Sequence, residues 1–265
     1  VWADHDDEIE GAEGFRALVA GADPDVGGFF ASYLYAFDEY GNVITKHDRE
    51  RVLRRSIGWE WKGRLHEGLY PGHSLTWKRT ADIVWVHHRG NVSQSDRNMP
   101  ILEQWVKDEP GEIRVWLHLA NQLYMDARWK DAAEWYTRFW NHPDGSPTDR
   151  YQAMDYGARS WRNAENIKSA IRCDMAGITE FPEWANCYIG MVENFIHMKE
   201  WAKGVAMGRS SLTKDPPPAT MFINHLDYTW RLQNDMAICY AGNGQLEEAY
   251  ESAKIALDFR PDDPE

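Results

Sequence analysis

Trp129-Lys130-Asp131-Ala132-Ala133-Glu134-Trp135-Tyr136-Thr137-Arg138-Phe139-Trp140 is the stretch whose reading decides the fold of the second half of the chain. Ala132-Ala133, Tyr136 and Phe139-Trp140 follow Trp129 at helical spacing and form one face. The same register returns after Ile167, as Ala170-Ile171, Asp174 and Gly177-Ile178. It returns after Trp201, as Gly204-Val205, Gly208 and Ser211-Leu212, and after Leu246, as Ala249-Tyr250, Ala253 and Ala256-Leu257. Pro182, Pro216 and Pro261 each lie fifteen residues after their anchor, and Pro143 comes one position early. The anchors are 38, 34 and 45 residues apart, so two connections carry insertions. The longest of these includes Asp215-Pro216-Pro217-Pro218.

Each segment follows an earlier helix with its own register. The four sets are Trp116, Leu119, Ala120, Leu123; Met154, Gly157, Ala158, Trp161; Tyr188, Met191, Val192, Phe195; and Gln233, Met236, Ala237, Tyr240. This pairing resembles the tetratricopeptide repeat, in which small residues let helix A approach helix B and large ones fill the space between them. The resemblance predicts an all-α solenoid of about four repeats. An unrelated helical bundle is the competing reading. Most of the 14 tryptophans are then repeat packing, among them Trp116, Trp129, Trp135, Trp140, Trp161, Trp184, Trp201 and Trp230.

The surrounding composition narrows the function. Asp plus Glu is 42 and Lys plus Arg is 29, a net charge of −13. Nucleic-acid binding needs a basic face, so it is excluded as a general role. No apolar run approaches the ~18 residues of a membrane span. The three cysteines, Cys173, Cys187 and Cys239, have no metal-type spacing and cannot all pair. They point to a reducing, cytoplasmic setting.

Residues 1 to 100 read differently, as mixed α/β, and 101–265 as a connecting helix (Ile101 to Lys107) plus the repeats. Phe15 to Ala20 predicts a short helix. Gly28 to Phe37, the turn Glu39-Tyr40-Gly41-Asn42 and Val43-Ile44-Thr45 predict a hairpin. Asp82 to His88 reads as a strand ending in two histidines, and Gly90 to Asn98 as a loop. Val1-Trp2-Ala3 reads as the end of a buried strand running into Asp4-His5-Asp6-Asp7, which predicts that sequence precedes Val1. Acids at i and i+2 past a strand can converge on one divalent cation. A solvated acidic turn is the alternative.

Trp2-Ala3-Asp4-His5-Asp6-Asp7-Glu8-Ile9 resembles the "W-x-D-x-D-[DE]" strand end of family 2 glycosyltransferases with a GT-A-type fold. Arg51-Val52-Leu53-Arg54-Arg55, Trp59 to Gly63 and His66-Glu67-Gly68-Leu69 are similar to the "R-x-F-R … G-x-x-H-E-x-L" run of that family. Val86-His87-His88-Arg89-Gly90 resembles its "H-x-G" strand end, and Asp96-Arg97-Asn98 with Ile101-Leu102-Glu103 its entry into a helical tail. Several bacterial and phage members join such a domain to tetratricopeptide repeats, so the resemblance implies a bacterial or phage-encoded protein. The fold it implies is a partial, Rossmann-like GT-A-type domain followed by the solenoid.

The activity it implies is a metal-dependent, inverting transfer of a sugar from a nucleotide-diphosphate donor to an acceptor hydroxyl, with a protein acceptor at the repeats. Asp4 and Asp6 match the metal- and donor-binding acids, and Mn²⁺ or Mg²⁺ is the implied cation. His88 matches the "H-x-G" histidine as a third metal ligand or a diphosphate contact, with His87 as the fallback and an ordinary strand-end pair as the alternative. Arg97 is placed at the diphosphate. Glu67 is the first candidate for general base, Asp7 the second, and His66 orients Glu67 or acts itself. Trp59 and Trp61 are candidates for an acceptor platform, with core packing as the alternative. The strands that hold the donor base are missing before Val1, and the family's Lys before "R-N" is displaced at Ser93-Gln94-Ser95-Asp96. The implied activity therefore belongs to a longer polypeptide.

A second reading is a non-enzymatic adaptor: the repeats bind a partner and the first half is a degenerate remnant. A glycoside hydrolase is a third, but Asp4 and Asp6 are too close to flank a sugar from opposite sides.

Overall fold

The structure is a computed structural model that describes residues 1–87, 95–218 and 222–261. It divides into two compact units. One is Val1–Val92 with Ala219–Asn224, and the other is Ser93–Pro218 with His225–Glu265. The division thus falls ahead of position 100 and not at it. Helix α2 (Ser95–Asp108) runs through that position with Pro100 inside it, so Ser95 to Asn98 are helical and not loop.

The first unit is a mixed sheet. Its elements are β1 (Asp7–Glu10), α1 (Phe15–Ala20), β2 (Val26–Phe37), β3 (Val43–Leu53), β4 (Trp59–Lys62), β5 (Gly68–Pro71), β6 (Thr76–His87) and β7 (Ile223–Asn224). The five-stranded sheet has the order β1-β6-β2-β3-β7, and β4-β5 form a separate pair. Only β2 and β6 run parallel; β1–β6, β2–β3 and β3–β7 are antiparallel. A Rossmann-like layer needs successive parallel strands joined by covering helices. Here the helix α1 is six residues long, and β2 runs into β3 as an antiparallel hairpin. The expected GT-A-type domain is therefore not what these residues build; the mixed sheet has no identified fold. Residues 1–6 are irregular and Val1 is exposed, so the acids precede a strand instead of ending one.

The alternation of β2 explains its core. Phe29, Ala31 and Tyr33 point to one face, where Ile83 and Trp85 of β6 and Val52 of β3 meet them. Phe15 of α1 closes on Trp85 edge-on, ring centroids 5.7 Å apart. Gly28 allows the sheet to close, because a Cβ there would stand 2.7 Å from the Trp77 ring and 2.9 Å from the Val52 carbonyl oxygen.

The second unit is the predicted array. The helices are α3 (Ile113–Met125), α4 (Trp129–Trp140), α5 (Pro147–Asn163), α6 (Ile167–Glu180), α7 (Asn186–His197), α8 (Trp201–Ser211), α9 (Trp230–Gly242) and α10 (Leu246–Phe259). All four helices B begin at the anchors read from sequence. Every helix A packs on the helix B of its repeat, and α3, α5 and α7 each also meet the next helix A. The +3 positions are fully covered in the first two repeats, with Ala132 and Ala170 both at 0% exposure. Small residues then admit the following helix A: Gly204 and Gly208 of α8 lie against Cys239 and Met236 of α9.

One turn recurs four times. Ala127 (φ 55°), Glu165 (φ 57°), Lys199 (φ 56°) and Gly244 (φ 77°) each stand two places before an anchor, in the left-handed region. The next residue's N–H donates back to Leu123, Trp161, Phe195 or Tyr240, always five residues earlier. This is a Schellman-type helix end, which favours glycine because it lacks a Cβ. Only the fourth turn has one. A left-handed L-residue costs on the order of 1–2 kcal/mol. We expect Gly244→Ala, with open space around it, to lower the unfolding free energy by about 1 kcal/mol. Lys199→Gly should act in the opposite direction. Urea midpoints of the two variants check both signs.

Candidate functional site

Two polar clusters stand out, one in each unit. In the first unit, Asp7 opens β1 opposite His87 at the end of β6. Tyr33 of β2 reaches both: its hydroxyl donates to Asp7 Oδ1 at 2.8 Å and lies 3.0 Å from His87 Nδ1. His87 Nδ1 also lies 3.3 Å from Asp7 Oδ1, so the three side chains meet at one point. Tyr35 stacks on the His87 ring at 5.0 Å and 13°.

The other oxygen of Asp7, Oδ2, accepts from the Asp4 N–H at 3.0 Å and faces the Arg51 guanidinium at 3.3 Å. Arg51 is 1% exposed. It is sandwiched between the Trp2 ring at 3.9 Å and the Tyr33 ring at 4.3 Å. Aromatic faces and one buried carboxylate together hold this cation out of water. Burial lowers its pKa, and Asp7 acts against that. Tyr33 is shifted upward, first by burial and then by its bond to Asp7.

The expected site residues separate. Asp6, Asp7 and His87 come together, with one ligand atom each within 4.8 Å of one another. His87, the fallback, is the histidine in the cluster; His88 lies outside the described residues. Asp4 is exposed and joins through its N–H and a 3.8 Å approach to Arg51. His66 and Glu67 are exposed on the β4–β5 turn, a different sheet from Asp7, and His66 has a left-handed φ of 53°. Trp59 is half-buried against Trp77 at 5.4 Å, and its Nε1 donates to the Arg54 carbonyl. Trp61 is 54% exposed and meets Trp2 edge-on at 5.4 Å. Arg97 belongs to α2 of the other unit, where its Nε donates to Asn98.

His47 sits beside this cluster at 2% exposure, with rings of Phe222, Tyr33 and Tyr35 around it and no hydrogen bond to either nitrogen. Burial, then Arg49 and Arg51, push its pKa down to about 3. The folded unit therefore keeps His47 neutral while the unfolded chain takes a proton near pH 6.5. Stability should fall as pH drops from about 6.5 towards 3, by at most about 1.4 kcal/mol per pH unit from this group. His47→Phe should remove that part of the loss. Melting temperatures of the variant and the parent at pH 7.5 and pH 5 test it: the gain must be larger at pH 5.

The second cluster was not foreseen. It lies among the helices A of the array, with Asp174 reaching in from α6, a helix B. Arg159 of α5 pairs with Asp155 at 2.9 Å and with Asp227. Arg162 pairs with Asp174 at 2.7 Å and Glu193 at 2.8 Å. Asn194 donates to Asp174 at 2.7 Å, and Asn186 donates to Asp227 at 3.2 Å. Asp174 and Asp227 are both fully buried. One visible signal was Asp174 itself, a charge at the +7 core position of its helix. Burial pushes Asp174 and Asp235 up to about 7 each. Such acids hold protons in the folded state that the unfolded chain releases above pH 4, so stability falls as pH rises from about 4 to 7. Asp235 Oδ2 has no hydrogen-bond partner. Asp235→Asn is expected to raise the melting temperature at pH 8 and to change it little at pH 5.

No family model matches the sequence, and no curated protein matches it. Among solved structures the chain is similar to a crystal structure of MamA, with 17% identity over 63% of this chain and 89% of that one, at a TM-score of 0.51. It is similar to MamA 41-end from Desulfovibrio magneticus RS-1, with 11% identity over 64% and 88% of the two chains, TM-score 0.51. It is also similar to the Cut9-Hcn1 hetero-tetramer of the APC/C, with 10% identity over 64% of this chain and 31% of that one, TM-score 0.51. At these identities the likeness is one of fold, and it is the tetratricopeptide-like repeat fold of the C-terminal helices. It does not extend to a glycosyltransferase. With the sheet topology, this overturns the expectation of a sugar-transferring enzyme, together with its nucleotide-sugar donor and DxD manganese centre. Among the described residues no helix is long and apolar enough to cross a membrane.

Proposed function

We propose that the chain is a non-enzymatic adaptor that holds a partner protein through its repeat array. One observation carries the reading, the stacked helix pairs of a tetratricopeptide-like array, whose faces suit helical or extended partners. In the first three repeats the face of helix B towards the next repeat is covered by the following helix A. In the fourth it is presented outward: Tyr250 is 68% exposed, whereas Ala133 and Val205 at the same register position are 0% and 5% exposed. Leu246 and Leu257 extend the same exposed surface of α10, at 71% and 47%. An apolar surface of this kind on a repeat array favours docking of another helix. A photo-crosslinking residue at position 250 should yield a discrete protein adduct in cells, and one at the exposed Glu134 should not. An adduct pattern identical at the two positions, or none at 246 and 250, would retire the reading.

A divalent cation at Asp6, Asp7 and His87 is a separate proposal, supported by the convergence of their ligand atoms and by a donor set of two carboxylates and an imidazole. It requires Arg51 to yield Asp7 Oδ2. The expected result is a melting-temperature rise with millimolar Mg²⁺ or Zn²⁺ that Asp6→Asn abolishes. No rise in the parent protein counts against it.

A further inference from the structure

Asp227 belongs to no repeat. It lies on a single 3-10 turn, His225–Tyr228, in the insert between α8 and α9. Even so, three successive helices A converge on its carboxylate. Arg159 of α5 embraces it with both terminal nitrogens. Asn186 of α7 donates at 3.2 Å, and Arg231 of α9 donates at 3.4 Å. The neighbouring Tyr228 adds a second contact, its hydroxyl donating to Asn186 Oδ1 at 2.5 Å. Before this turn the insert is pinned by the exchange of backbone bonds between Asp215 and the segment Glu183 to Ala185.

Each surrounding arginine keeps another acid beside it when this carboxylate leaves. Arg159 keeps Asp155, and Arg231 keeps Glu193 at 3.7 Å. Arg162 is served by Asp174 and Glu193. Removing one partner of a buried ion pair is normally costly because the other is left alone. Here each arginine has a second acid inside the array, so the socket stays supported when Asp227 leaves. What Asp227 gains is geometric: a forked guanidinium and an amide aimed at one carboxylate.

We propose that the helix-A layer of α5, α7 and α9 is a recognition socket for an acidic residue followed by an aromatic one, and that the insert is its built-in occupant. A partner segment with an Asp–Tyr type pair binds by displacing His225–Tyr228 from Arg159, Asn186 and Arg231. This rests on the adaptor reading and adds to it the partner's chemistry and a competitive control of access.

The test uses the full chain and a fluorescein-labelled peptide copying residues 222–229, alongside the same peptide with Asn at the Asp position. Fluorescence anisotropy is measured on the parent protein, on Asp227→Ala, and on a variant with residues 225–229 replaced by Gly and Ser. The Asp peptide should bind both variants at least tenfold more tightly than the parent, and at least tenfold more tightly than the Asn peptide does. Equal binding of the two peptides, or no binding by folded variants, overturns the proposal. If the variants do not fold, hydrogen–deuterium exchange on the parent decides: saturating Asp peptide must speed exchange at 225–229, and unchanged exchange overturns the proposal. A specific adduct at position 250 with no peptide binding retires the socket and leaves the adaptor reading standing. Loss of both results retires both.

Discussion

The array depends on one backbone event, the left-handed residue that ends each helix A. It reverses the chain in three residues and fixes where helix B begins. The back-bonds from Arg128, Asn166, Glu200 and Gln245 then set the same offset between the two helices in every repeat. Small residues at the contact are a consequence of that offset. Gly204 and Gly208 lie where Cys239 and Met236 must pass, and Ala132 and Ala170 have no exposed surface at all. Three of the four turns accept a Cβ in an unfavourable region. The packing of the helices on both sides is what holds those turns in place.

Within this frame the helix-A layer carries an unusual burden of buried charge. Buried ion pairs give little net stability, because desolvation offsets attraction. Their value lies in specifying one arrangement. Arg159, Arg162 and Arg231 each bridge two acids from different helices, so a shifted register would leave several charges unpaired at once. The insert turn His225–Tyr228 is drawn into the same network, which makes the longest connection of the array part of its interior chemistry.

The sheet unit is organised around a cation as well, but by different means. Arg51 is wrapped by the Trp2 and Tyr33 rings and answered by Asp7 alone at close range. Asp7 is in turn shared by Tyr33 and His87. The motif-like acids thus serve a buried arginine, and the sheet that carries them is mixed and largely antiparallel. This is why a short run such as Trp2 to Asp7 suggested sugar chemistry that the surrounding fold does not support.

The sequence by itself determined the helical array. Periodicity at 3.6 residues and the anchors Trp129, Ile167, Trp201 and Leu246 are local properties, and all four helices B begin where the spacing placed them. The hairpin from Gly28 to Thr45 was legible for the same reason, through alternation and a turn. Only the tertiary structure decided the rest. Strand order and direction depend on pairings far apart in sequence, such as Asp7 with His87 and Thr45 with Asn224, which no local pattern records. The joining of Asp227 to Arg159 spans 68 residues, and His87 meets Asp7 across the β1–β6 pairing of segments 80 residues apart. Local spacing encodes helices because their contacts are local; the polar clusters arise from contacts between distant segments, and those are settled only when the chain has folded.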